Sequence, residues 1–143
     1  MGWNHDSRLT ARGTPEKPIA FVSGARQEPG AWKGIFLYDH SGGSSLENVR
    51  IENAGRDDKA ALEISGKDIH VKGLKVVASK NEAFKLSGSA RVVEFDGNDF
   101  TQAGAHEVIG TFVLSSLGGI KPGTNKWPAS SVLQVTEASA DGD

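Results

Sequence analysis

The sequence predicts an all-β chain wound into a single-stranded right-handed parallel β-helix, a β-solenoid, of about five circuits with a C-terminal cap. Three observations lead there. The segment Ala61-Leu62-Glu63-Ile64-Ser65-Gly66 returns 22 residues later as Ala83-Phe84-Lys85-Leu86-Ser87-Gly88, with apolar residues kept at alternate places as in a half-buried strand. A second pattern, Leu46-x-Asn48-x-x-Ile51, returns as Val71-x-Gly73-x-x-Val76 and again as Phe95-x-Gly97-x-x-Phe100, at spacings of 25 and 24. The two patterns interleave at a nearly constant period, as they must when each circuit of a coil contributes two or three short strands.

Residues 1–8 read as an N-terminal arm, and Met1-Gly2 look like an engineered start. The coil runs over 9–112. Pro18-Ile19-Ala20-Phe21 opens one ladder, continued by Ile51, Val76 and Phe100; Gly34-Ile35-Phe36-Leu37 opens two more, Ile35 with Leu62 and Phe84, and Leu37 with Ile64 and Leu86. Asn48, Gly73 and Gly97 are the corner residues, and Glu47, Glu63 and Lys85 take the outward phase. From about Val113 the repeat is lost. Residues 113–143 are expected to cap the last edge or add a strand through Val132-Leu133-Gln134-Val135, then end in a disordered tail. Short strands punctuated by Gly and Pro also suit an antiparallel β-sandwich, but a sandwich gives no reason for strand and corner to repeat as one unit. The coil's crossovers are expected to be right-handed.

Length and composition set further bounds. A chain of 143 residues with 37% apolar content makes one domain whose core needs no cross-links, in keeping with its lack of cysteine. Without cysteine there are no disulfides, thiolate zinc sites or thiol nucleophiles. Sixteen Lys and Arg against 18 Asp and Glu argue against a nucleic-acid partner. No apolar run reaches the ~18 residues of a membrane span, and the first residues carry no signal-peptide pattern.

The segments Leu9-Thr10-Ala11-Arg12-Gly13-Thr14-Pro15 to Ser23, then Pro29-Gly30-Ala31-Trp32-Lys33-Gly34-Ile35, then Leu46-Glu47-Asn48-Val49-Arg50-Ile51 to Gly55, resemble the opening of bacterial right-handed parallel β-helix repeat proteins of the pectate-lyase-like superfamily. The resemblance covers about residues 9–112. It implies the fold, a parent protein that is secreted or displayed on the cell surface, and carbohydrate as the ligand class; the reaction is left open, because one fold hosts many functions.

Chemistry concentrates at Gly55-Arg56-Asp57-Asp58-Lys59-Ala60, which resembles the paired-aspartate segment of polygalacturonases. Glycoside hydrolysis needs acids facing each other across a cleft, and adjacent aspartates do not supply that. The other parts of that family's motif, a Gly-His-Gly and an Arg-x-Lys, are missing. A uronate lyase would instead need a Lys or Arg base near a carboxylate-bound Ca²⁺, and Lys59, Lys80, Arg56, Asp57, Asp58 and Glu82 are expected to line one lateral face, with Arg56, Lys80 and Glu82 as the candidate ligand-binding residues there. No cofactor is otherwise expected. His5, His40, His70 and His106 lack a metal-binding spacing, so no metal site is expected from them, and no Gly-x-Ser-x-Gly elbow occurs. Trp32 reads as a structural strand entry. Trp127, in the loop Lys121-Pro122-Gly123-Thr124-Asn125-Lys126-Trp127-Pro128, is a candidate sugar-stacking residue.

The expectation is therefore a non-catalytic structural or carbohydrate-binding module of a larger secreted or surface bacterial protein. Its partners would be a polysaccharide and, through the uncovered coil ends, a second copy in a homo-oligomer. The rival expectation is a polysaccharide-active enzyme, a glycoside hydrolase or uronate lyase, using the acids at 57 and 58.

Overall fold

Residues alternating between apolar and polar over three to six positions make strands too short to bury a face alone, so they stack. The computed structural model describes residues 6–24, 26–120 and 123–137. Its strands are β1 (Thr10–Arg12), β2 (Ile19–Phe21), β3 (Ile35–Leu37), β4 (Ser45–Glu47), β5 (Val49–Glu52), β6 (Leu62–Ile64), β7 (Lys67–Lys72), β8 (Lys75–Val77), β9 (Phe84–Leu86), β10 (Arg91–Asp96), β11 (Val108–Val113) and β12 (Val132–Thr136). They form three sheets, ordered β1-β4-β7-β10, β2-β5-β8 and β12-β11-β9-β6-β3. Every pair of named strands is parallel. That excludes the antiparallel sandwich and makes the chain a β-solenoid.

The coil has about four turns, one fewer than expected. The last level explains the difference. There two of the three faces shrink to single-residue bridges, Ile120 on Phe95 and Lys126 on Asp99, and only β12 remains a strand, pairing in parallel with β11. The segment that loses the repeat thus still follows the coil's path. The N-terminal arm to His5, including Trp3, and the tail from Ala138 lie outside the described residues.

The expected ladders are those observed. Ile35, Leu62 and Phe84 are register partners, as are Leu37, Ile64 and Leu86. Phe21 pairs with Ile51 and Ile51 with Val76, while the neighbouring Lys75–Asp99 bridge carries the register on to Phe100. Almost all of these side chains are fully buried, each contributing roughly 1.5–3 kcal/mol of apolar transfer.

The corners turn as the sequence pattern requires. Asn48, Gly73 and Gly97 have φ of 51°, 67° and 66°, the left-handed region that Asn and Gly tolerate best. A side chain on Gly73 would meet the Asn48 Oδ1 at 2.7 Å, so with Asn48 in place the next level of this corner carries none. Lower down, asparagines close the same corner: Asn98 Oδ1 accepts from Leu74 N–H at 2.8 Å, and Asn125 Oδ1 accepts from Asn98 N–H at 3.0 Å.

Candidate functional site

Gly55, at φ 102°, breaks the run from β5 and turns the chain into the short 3₁₀ turn Arg56–Asp58. Asp57 and Asp58 both sit in the left-handed region, at φ 59° and 61°, where aspartate is among the better-tolerated residues. The turn is anchored from within the coil: Gly55 N–H donates to Lys33 O and Arg56 N–H to Trp32 O, each at 3.1 Å. Trp32 itself is fixed by its indole N–H donating to Glu52 O at 2.6 Å, and it packs on the core.

One level on, Lys80 and Glu82 lie along this segment. Lys80 N–H donates to Ala54 O, Asn81 Nδ2 to Gly55 O at 2.7 Å, and Ala61 N–H to Glu82 O at 3.0 Å. The structure therefore brings the turn at 56–59 alongside residues 80–82. Three of the acids nearby have partners. Asp57 Oδ2 lies 3.7 Å from Lys33 Nζ, Glu63 Oε2 accepts from Ala60 N–H at 2.9 Å, and Glu82 Oε2 accepts from the Thr111 hydroxyl at 2.7 Å. Among the described residues no group of three or more His, Asp or Glu side chains is placed to hold a metal ion.

Trp127 is elsewhere, partly buried against the core. Its ring stacks on Phe100 with centroids 5.1 Å apart and planes 20° apart, and it also contacts Phe84 at 6.1 Å. It joins the aromatic cluster at the last level of the core. The reason is register: Lys126 bridges Asp99, so the following residue falls on the inward phase beside Phe100.

What the sequence reading missed is on β3. Phe36 and Tyr38 take the outward phase between and beyond buried Ile35 and Leu37, and both are partly exposed. Their rings are parallel within 8°, with centroids 5.9 Å apart. The other described aromatics all pack on the core, so among the described residues this pair is the outer surface's aromatic feature. Lys59 joins it to the acidic turn, its Nζ lying 5.8 Å from the Phe36 ring centroid. Glu63 is the register partner of Phe36, and Lys85 of Glu63, so a row of hydrogen-bonding and charged groups continues across the sheet from the rings. The signal was readable as the alternation Ile35-Phe36-Leu37-Tyr38, which puts two rings on one face.

Fold and site together define a β-solenoid module with an aromatic and charged lateral face. No protein-family model, curated protein or solved structure matches the chain.

Proposed function

We propose that this chain is a non-catalytic carbohydrate-binding and structural module, belonging to a larger secreted or surface protein of the bacterial pectate-lyase-like kind that residues 9–112 resemble. The observation that carries the reading is the parallel Phe36–Tyr38 pair on the outer face of a sheet, flanked by Lys59, Glu63 and Lys85. Aromatic faces cover the apolar faces of sugar rings, and nearby polar groups fix orientation through hydroxyl hydrogen bonds. The hydrogen bonds that engage Glu63 and Glu82 speak for binding over hydrolysis, because hydrolysis needs free acids facing each other across a cleft and adjacent Asp57 and Asp58 do not supply that.

The test is incubation of the full chain, with and without Ca²⁺, with pectin, polygalacturonate, alginate and neutral glycans, following new reducing ends and unsaturated uronates alongside retention on the same glycans immobilised. Retention without turnover is expected. Turnover that disappears in Asp57→Asn or Asp58→Asn would replace this reading with an enzyme acting at the turn.

A further inference from the structure

A second surface, distinct from the β3 face, carries its own chemistry. The loop between β1 and β2 folds over the corner at Asn48 and Gly73, leaving a hollow of about 310 Å³ lined by Thr14, Pro15, Pro18, Asn48, Arg50 and Lys75, among others. The floor is fixed. Asn48 Nδ2 donates to Gly13 O at 3.2 Å, and Gly73 is held side-chain-free by the Asn48 amide beside it. The two prolines stiffen one wall and offer it an apolar surface.

The cations at this hollow are placed where the fold alone gives them little. Arg50 and Lys75 are register partners on β5 and β8, both on the outward phase, so two like charges stand one strand spacing apart. Glu52 takes one side of Arg50, with Oε2 3.1 Å from Nη2, while the Arg50 Nε is buried without a hydrogen-bond partner. Lys75 has no ion pair within 4 Å among the described residues; the acid nearest it on the ladder is Asp99, which is bound to Thr101 through both the backbone N–H and the hydroxyl and feels the Lys75 charge at longer range. Thr14 Oγ1 accepts from Lys17 N–H at 3.0 Å, which leaves its hydroxyl hydrogen to donate.

We infer that this hollow binds a small organic oxyanion, its charged head between Arg50 and Lys75 and its apolar body against Pro15 and Pro18. An oxyanion relieves the like-charge pairing, takes the Thr14 hydroxyl as a further donor and meets a wall that needs no ordering. Glu52, which already occupies part of the guanidinium, and Asp99, on the ladder beside Lys75, are the internal competitors. The inference is independent of glycan binding at β3, and either site can fail without the other.

The test is titration of the isotope-labelled full chain, in phosphate-free buffer of low ionic strength, with phenyl phosphate, benzoate, inorganic phosphate and phenol, following backbone amide shifts. Saturable shifts confined to Thr14, Asn48, Gly73 and their neighbours are expected with phenyl phosphate or benzoate, and the tighter of the two tells whether a tetrahedral or a planar head fits. Inorganic phosphate should bind more weakly and phenol not at all. Lys75→Gln should weaken the better probe at least about fivefold, and Glu52→Gln, which removes one competitor without touching the hollow's lining, should tighten it about twofold or more. Shifts that do not saturate, that spread over lysines across the surface, or that are unchanged in both variants would overturn the site.

Discussion

The ring of Phe84 occupies the place where a side chain of Gly110 would be. The two residues are register partners on β9 and β11, and a methyl group built on Gly110 would coincide with the ring's edge. Phe84 thereby reaches down a level and touches Phe95, Phe100 and Phe112 at centroid distances of 5.2, 5.1 and 4.8 Å. Gly110→Ala should therefore cost about 1–3 kcal/mol through overpacking, and Phe84→Ala about 3–5 kcal/mol through the cavity it leaves. By contrast Leu133→Ala, on the exposed last strand where Leu133 is 41% accessible, should cost under about 1 kcal/mol. Urea unfolding midpoints at constant slope check all three.

That pair also explains how far the sequence could be read. Where one apolar side chain fills each level, as in Ile35, Leu62 and Phe84, the repeat is visible and the register follows from it. At the next level Phe84 fills two places, the ladder residue becomes glycine, and the pattern ends although the coil continues. The packing of Trp127 on the core was hidden for a related reason: its inward phase depends on a single bridge at Lys126, with no repeat to reveal it. The candidate site was half legible. The turn at 55–59 stood out by composition, whereas Phe36 and Tyr38 looked like ordinary strand residues until their shared outward face brought the rings together.

Ala78 stands at φ 54°, at the same corner as Asn53 at 63° one level before. Alanine in the left-handed region costs roughly 1 kcal/mol, and asparagine tolerates it better while restricting the unfolded chain more than glycine does. Ala78→Asn should raise stability by about 0.5 kcal/mol and Ala78→Gly by less, measured as shifts in Tm under identical conditions.

On the outer face of the first sheet, Arg12, Glu47 and Lys72 are successive register partners that alternate in sign, and the next partner on the ladder is the buried Asp96. Glu47→Lys would set three cations in a row. A loss of about 0.5–1 kcal/mol is expected at low salt, shrinking towards zero near 1 M NaCl. A loss independent of salt would show that Glu47 acts through packing.

Burial would push the Asp99 carboxyl up, but the Thr101 hydroxyl and N–H, with Lys75 and Lys126 above and below on the ladder, hold it below the ordinary carboxylate range. A depressed folded-state value stabilises the coil above the unfolded-state value near 3.8, and this contribution is lost as pH falls from there through the lower folded-state value. Asp99→Asn should remove that share of the acid-induced loss while leaving the slope of stability between pH 5 and 7 unchanged, as followed by urea unfolding at stepped pH.

The most direct measurement of the central claim is calorimetric titration of the best-retained glycan oligomer into the parent chain, Phe36→Ala, Tyr38→Ala and the double variant Asp57→Asn with Asp58→Asn. The account predicts that each aromatic variant binds about tenfold more weakly with unchanged Tm, about 1.4 kcal/mol of stacking, while the aspartate variant binds as the parent does. Full affinity in both aromatic variants, or its loss in the aspartate variant, would contradict it.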